Sequence, residues 1–230
     1  MAATLTLAEN MARLHALADP AVAAGLARFG SHPAHMLGVR MPLLRGLAKG
    51  QRSHALALEL WQSGVHEARI LASLVDDPAQ VTRGQIESWT ADFDTWDVCD
   101  QVCGNLFDRT PYAFEYALGL PAREGEYVRR AGFVLIAWLP VHRKDLPDAD
   151  FLPFFPLIEQ YAFDGRNFVK KAVNWALRGL GKASPVLHAE ALRCAERVAQ
   201  QDSPSARWIA ADALRELNGV KRFPKRKGSQ

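Results

Sequence analysis

The sequence has few cysteines and no long apolar run, and each absence excludes a class of protein. Three cysteines in 230 residues are too few for a secreted fold held together by disulfides. No apolar stretch approaches the roughly 20 residues that a membrane-spanning helix needs. Residues 1–9 also lack the basic-then-apolar order of a secretory signal. We therefore expect a protein of the cytoplasm that does not enter a membrane.

Several kinds of catalytic site are absent as well. The glycines fall singly and never at the clustered spacing that cradles a phosphate. Cys99 and Cys103 are spaced as one helical pair, but no second pair of cysteines or histidines stands where a metal site would need it. The seven histidines form neither a triad order nor a metal cluster. We expect no metal ion.

Positive charge is concentrated at the C-terminal end of the chain. The formal net charge is +3, but residues 221–227 contain five cations, which leaves −2 for the rest. Because the body is not globally basic, any nucleic-acid surface must gather its cations on one face. We predict a single domain over residues 1–219 and a basic, disordered tail over residues 220–230. The tail would add either non-specific phosphate affinity or solubility.

Almost every segment has the period of an α-helix, and none alternates convincingly with the period of a strand. The sequence therefore predicts an all-α protein. The predicted helices are 5–18, 20–29, 42–49, 54–62, 65–76, 82–92, 96–107, 111–120, 126–139, 151–161, 166–180, 186–199 and 205–217.

Several of these helices begin with the same polar-to-basic step before they turn apolar. The marker residues are Arg69, Arg130, Lys171 and Arg207. The first interval between markers is about two repeats long, and the next two are about one repeat each. Such a spacing of helix pairs is typical of an α-solenoid of HEAT-like repeats, whose inner helices line a concave surface.

The predicted helix within residues 93–107 carries acids that its packing does not require. Valines and cysteines supply an apolar face at i, i+4 spacing. Trp96 and Asp100 are also four residues apart, with Asp97 between them, so an indole and carboxylates share another face. This helix is the most specific candidate site in the sequence.

The helix that begins near residue 166 carries cations around an aromatic residue. The members of this stripe are Lys171, Trp175, Arg178 and Lys182. Such a face could follow a nucleic acid, because cations neutralise phosphates while an indole packs on a sugar or base. The alternative is a solvated basic face with Trp175 partly packed against the next repeat.

Arg130 begins an otherwise apolar helical stretch. A guanidinium at the start of an apolar helical stretch is either a phosphate ligand or the partner of an acid on an adjacent helix. Asp97 is a candidate for that acid. Arg69 and Arg207 share its position in the repeat, so a structural role in the repeat is the alternative.

These motifs resemble the HEAT-like-repeat DNA alkylation repair glycosylases of the AlkD type. The resemblance rests on Trp96-Asp97-x-x-Asp100, on the Arg130 helix and on residues 167–178, and it extends from about residue 42 to 217. It implies excision of cationic N-alkylated purines, such as 3-methyladenine and 7-methylguanine, from duplex DNA. It also implies that the reaction uses no metal or organic cofactor. We expect a monomer that is nucleoid-associated when bound to DNA.

The resemblance assigns roles residue by residue. Asp100 corresponds to the family's catalytic aspartate, with Asp97 in support, and Trp96 and Trp175 correspond to aromatic residues that pack against the deoxyribose of the lesion. Further DNA contacts are expected from Arg130, Lys170, Lys171, Arg178 and Lys182.

The sequence departs from the family pattern at Thr95, where the family commonly has a first tryptophan. Related branches have lost the aspartate and with it excision, so the retained Asp100 favours activity. One alternative is a non-catalytic module of the same fold that binds distorted or branched DNA. The other is a HEAT scaffold for protein partners, in which the Trp96 helix serves repeat packing.

Overall fold

The computed structural model describes residues 5–27 and 35–225, and within them the chain is helical without a strand. The α-helices are α1 (Leu7–Ala16), α2 (Pro20–Ala27), α3 (Met41–Ala48), α4 (His54–Gln62), α5 (His66–Val75), α6 (Arg83–Ala91), α7 (Trp96–Asn105), α8 (Ala113–Gly119), α9 (Glu126–His142), α10 (Phe154–Tyr161), α11 (Asn167–Gly181), α12 (Pro185–Ala199) and α13 (Pro204–Leu217). Short 3₁₀ helices cover Phe107–Arg109, Leu120–Ala122 and Asp148–Phe151. The predicted all-α class is confirmed. In this part of the chain, no helix has the length and apolar character that crossing a bilayer requires.

The helix ends differ from prediction mainly beside prolines. The helix predicted over 126–139 continues through Pro140 to His142, and Arg143 closes it by donating its backbone N–H to Leu139 O. Pro140 lies in the last turn, so the single i→i−4 hydrogen bond that its missing N–H removes is near the end of the helix. The helix predicted from residue 151 begins only at Phe154, after a 3₁₀ turn. Residues 28–29 of a predicted helix and 226–230 of the predicted tail lie outside the described residues.

The chain divides into two compact units, Met1–Pro111 and Tyr112–Gln230. In the first unit, α5 packs against α3, α4 and α7. The aromatic core of this unit contains Trp61 and Trp89, whose rings stack with centroids 4.1 Å apart, and the fully buried Phe107. In the second unit, α9 packs along α11, and α11 packs against α12 and α13.

Helices of successive repeats run in the same direction within each unit. In the second unit, hydrogen bonds join residues 38 positions apart from α9 to α11 and from α11 to α13. In the first unit, the bonds from α5 to α7 join residues 31 and 32 positions apart. A constant offset between parallel helices is the signature of stacked helical repeats. The two intervals predicted between the markers on α9, α11 and α13 therefore correspond to real repeats, and the longer interval from Arg69 to Arg130 stays a prediction.

Gly132 allows α9 to approach the turn that precedes it. A Cβ atom at this position would lie 2.4 Å from Pro121 Cδ, and Gly132 is buried within the helix. Because neither a proline ring nor a helix backbone can yield easily, the Gly132→Ala variant should overpack this contact. We expect its free energy of unfolding in urea to fall by about 1–2 kcal/mol.

Gly46 provides the matched control. It lies inside α3, and a Cβ atom there would have no heavy atom within 4 Å. The Gly46→Ala variant should therefore gain up to about 1 kcal/mol from the better helix propensity of alanine. Equal stability of the Gly132→Ala variant and the native protein would show that the α9 contact yields without cost.

Candidate nucleic-acid interface

The helix α7 presents its acids on a face that its packing leaves partly open. Its N-cap, Thr95, is fully buried in an extended conformation and sets the direction in which the helix begins. The valine and cysteine side chains of α7 are fully buried. Trp96, Asp97 and Asp100 are half-buried. The valine and cysteine face is buried as predicted, but the acids do not all stand apart from the packing, because the Asp97 side chain is only 13% exposed and contacts α5.

Asp97 forms a buried pair with His66 of α5. The distance from His66 Nε2 to Asp97 Oδ2 is 2.9 Å. Burial alone would raise the pKa of Asp97, but the hydrogen bond and positive charge of His66 outweigh it and lower this pKa. Burial likewise opposes protonation of His66, yet Asp97 raises the pKa of the imidazole. Since an ionised carboxylate only accepts hydrogen bonds, His66 donates from Nε2 and keeps Asp97 anionic.

Sequence reasoning missed His66, because it has no neighbouring motif of its own. The only signal that could have found it is the repeat offset, since α5 and α7 run parallel and His66 lies 31 positions before Asp97. The sequence proposed Arg130 as a candidate partner of Asp97. The contact of Asp97 with His66 lies within its own unit, and a pairing of Asp97 with Arg130 stays a prediction.

Trp96 forms one wall of a cavity of about 280 Å³ in the first unit. The lining is mixed, with aliphatic side chains from α2 and from Ile70 of α5 and with charged side chains that include Arg40, Glu67 and Asp97. The indole Nε1 of Trp96 and the Nδ1 of His66 are buried without a hydrogen-bond partner among the described residues. The N-terminal turn of α7 thus combines an aromatic surface with an ionised carboxylate.

Asp100 lies one turn further along α7, next to the buried thiol of Cys103. Burial is the largest cause of a strongly raised pKa of Cys103, and the nearby Cys99 and the negative charge of Asp100 add to it. Both cysteines of α7 are fully buried and unbridged. The cysteines therefore serve packing, and the catalytic role expected for Asp100 stays a prediction.

Arg130 is largely buried in the second unit. Only 5% of its surface is exposed, and its Nη1 donates a 2.5 Å hydrogen bond to Phe168 O at the start of α11. This contact supports a role in positioning α11 beside α9. The expected contact of Arg130 with DNA stays a prediction.

The cations of α11 differ in how far acids neutralise them. Lys182 Nζ lies 2.5 Å from Glu216 Oε1, and Arg178 binds the same carboxylate of α13. Burial would raise the pKa of Glu216, but the hydrogen bonds from Lys182 and Arg178 lower it. Lys170 Nζ lies 4.8 Å from the ring of Trp208 in a cation–π contact. Lys171 is exposed and has no ion-pair partner in the described part of the chain.

Trp175 is half-buried on α11 and lies beside a second cavity, of about 330 Å³. Its ring meets Trp138 edge-on, with centroids 5.6 Å apart, and Trp138 stacks on His142. Lys144 and Lys182 also line this cavity. Sequence reasoning placed Trp138 in an apolar helical run and missed its position beside Trp175.

The predicted site residues fall into two groups. Trp96, Asp97 and Asp100 lie together on α7 of the first unit. The second unit holds the aromatic and basic group, of which Arg130 is on α9. Its other members, all on α11 or at its C-cap, are Lys170, Lys171, Trp175, Arg178 and Lys182. Their individual roles stay predictions, as does the concave DNA-binding face.

Comparisons with known proteins agree with this architecture. A solved structure superposes with a TM-score of 0.78 at 20% sequence identity, covering 96% of this chain and 99% of that one. That protein is described as belonging to a new family related to the HEAT-like repeat DNA glycosylases, with affinity for branched DNA structures. At this identity the match shows the HEAT-like repeat fold alone. No curated protein matches the chain in sequence.

The sequence model of one family spans nearly all of the helical region. It describes a DNA alkylation repair enzyme and matches residues 10–217, which include α7, α9 and α11. This chain belongs to the DNA alkylation repair enzyme family.

Proposed function

We propose that this protein is a monofunctional DNA glycosylase that excises cationic N-alkylated purines, such as 3-methyladenine and 7-methylguanine, from duplex DNA in base excision repair. The observation that carries the proposal is the face of α7 on which Trp96 and Asp100 stand half-buried, while the valine and cysteine side chains of the helix are fully buried.

The chemistry of the substrate fits these residues. An N-alkylated purine is already a cation, so it can leave as a neutral base without being protonated. The glycosidic electron pair goes to the departing base, and positive charge develops on the sugar. The Asp100 carboxylate stabilises this charge and orients the water that adds to the anomeric carbon, after which a proton is released.

Aromatic rings and a second acid assist in this proposal. Trp96 and Trp175 present indole faces to the deoxyribose, whose developing positive charge is favoured by the ring quadrupole. Asp97, held anionic by His66, supports Asp100 from the preceding turn of α7 without titrating near neutral pH.

The basic residues of the second unit bind the DNA backbone. Lys171 can bind a phosphate at once, because no acid holds it in the described part of the chain. Lys182 must exchange Glu216 for phosphate, and Arg178 must exchange both Glu216 and Asp212. Lys170 remains beside Trp208, and Arg130 holds the start of α11 through its hydrogen bond to Phe168 O. Such contacts make binding weaken as salt rises.

The direct test is single-turnover release of 7-methylguanine from a methylated duplex, measured at two salt concentrations. We expect release faster than spontaneous depurination and weaker binding at the higher salt concentration. A duplex that is bound but depurinates at the spontaneous rate would contradict the proposal.

A second candidate function is non-catalytic binding of branched DNA. It is favoured by the described affinity of the structurally similar protein and by Thr95 in the place of a first tryptophan. The same preparation can be titrated with a four-way junction and with a linear duplex of equal length. Strong preference for the junction, without base release, would support the binding module.

A further inference from the structure

The C-terminal segment Val220–Lys225, here called the tail segment, packs against the second unit beside Trp175. The ring of Phe223 meets the ring of His188 edge-on, with centroids 5.2 Å apart. His188 is itself fixed, because its Nδ1 lies 2.8 Å from Gly181 O at the end of α11. Pro224 lines the cavity that Trp175 and Trp138 share. Two consecutive residues therefore hold the tail segment at the C-terminal end of α11.

The charges of the tail segment are not neutralised. Lys221, Arg222 and Lys225 are exposed and have no ion-pair partner in the described part of the chain. Lys144, on the rim of the same cavity, is also exposed and without such a partner. Lys182 differs from these because Glu216 binds it. The tail segment is thus a fixed source of positive charge next to an aromatic surface.

We propose that the tail segment is an anchored arm that binds the phosphate backbone of duplex DNA. Phe223 and Pro224 hold it beside Trp175, and Lys221, Arg222 and Lys225 bind phosphates of the strand that Trp175 meets. The inference rests on the proposed function, which places DNA at Trp175. Anchoring matters because an arm held in position loses less conformational freedom on binding than a free chain does.

The first test removes the charges and keeps the anchor. Binding of an undamaged duplex is measured across a series of salt concentrations for the native protein and for the Lys221→Gln/Arg222→Gln/Lys225→Gln variant. Each lost phosphate contact should lower the slope of log affinity against log salt by about one, so the slope should fall by roughly three.

The matched control removes the same net charge from cations that acids already hold. In the Arg143→Gln/Arg193→Gln/Arg207→Gln variant, the lost partners are Asp145, Glu190 and Asp202. We expect the native slope for this variant. A tail variant with the native slope, or one that binds DNA more tightly, would overturn the arm.

The second test removes the anchor and keeps every charge. The Phe223→Ala variant should bind the duplex roughly fivefold more weakly, because its cations spread over a larger volume and their effective concentration falls. The Phe163→Ala variant is the control, since it removes an aromatic ring that is 59% exposed, and it should bind as the native protein does. Native affinity in the Phe223→Ala variant would overturn the anchoring.

These measurements separate the arm from the glycosylase. Binding of undamaged DNA does not depend on excision. If the native protein releases base but the tail variant keeps the native slope of log affinity against log salt, the arm alone is overturned. A tail-dependent slope without base release would overturn the glycosylase and leave the arm standing.

Discussion

The Asp100→Asn variant is expected to release 7-methylguanine about a hundredfold more slowly than the native protein, or slower still, in a single turnover. Asparagine has nearly the shape of aspartate but carries no charge, so it cannot stabilise a cationic sugar. Duplex binding should not weaken, because a carboxylate makes no favourable contact with the anionic phosphate backbone. The loss should therefore fall on the chemical step at both salt concentrations.

The Asp94→Asn variant is the matched control for this loss. Asp94 precedes α7, its side chain is 49% exposed, and its carboxylate lies 3.6 Å from Arg69. The same change of charge there should leave excision close to the native rate. Native excision by the Asp100→Asn variant would remove Asp100 from the mechanism and leave Asp97 as the remaining carboxylate of α7.

The Asp164→Asn variant should lose about 2–3 kcal/mol of unfolding free energy. Asp164 is 6% exposed and accepts hydrogen bonds from the guanidinium groups of Arg129 and Arg166, at 2.7 Å and 2.5 Å. It thereby holds the turn before α11 to the start of α9. Asparagine removes the charge, which leaves Arg129, a side chain that is only 13% exposed, without its carboxylate.

The same residue predicts how stability depends on pH. Burial would raise the pKa of Asp164, but the hydrogen bonds from Arg166 and Arg129 lower it to about 2. Because this pKa is below the unfolded value of about 3.9, the stabilisation is present above pH ~4 and disappears as the pH falls towards 2. The native protein should lose roughly 2 kcal/mol from this group over that range, and the Asp164→Asn variant should lack this component.

Asp145 offers the control for the Asp164 experiment. Its side chain is 58% exposed and its carboxylate lies 3.1 Å from Arg143. An exposed pair contributes about 0–1 kcal/mol, so the Asp145→Asn variant should unfold in urea almost as the native protein does. Equal losses in the two variants would mean that Asp164 does not stabilise the turn as its contacts suggest.

Helix positions could be predicted because their cause is local. The apolar period along a segment decides which face is buried, and the valine and cysteine face predicted for α7 is fully buried. The ends were harder, since they depend on particular turns. Leu106, for example, leaves the α-helical region and begins a 3₁₀ turn, so α7 ends at Asn105 rather than at the predicted residue 107.

Contacts between repeats could not be predicted in the same way. The sequence offered Arg130 a phosphate or an acid and did not indicate its hydrogen bond to the backbone carbonyl of Phe168, because every residue carries such an acceptor. Arg178 and Lys182 suggested an open basic face, but Glu216 of α13 lies 38 positions after Arg178 and binds both. The pairing of His66 with Asp97 likewise depends on the parallel packing of α5 against α7, which the sequence does not specify.

The burial of the two α7 cysteines bears on the chemical environment of a DNA alkylation repair enzyme. Electrophilic methylating agents attack the thiolate form of cysteine most readily, and burial keeps the pKa of Cys103 high enough that this form is scarce at neutral pH. Both sulfur atoms are also shielded from solvent. The helix that carries Asp100 therefore offers no accessible thiolate to alkylating agents. The same agents create the alkylated purines that the protein is proposed to remove.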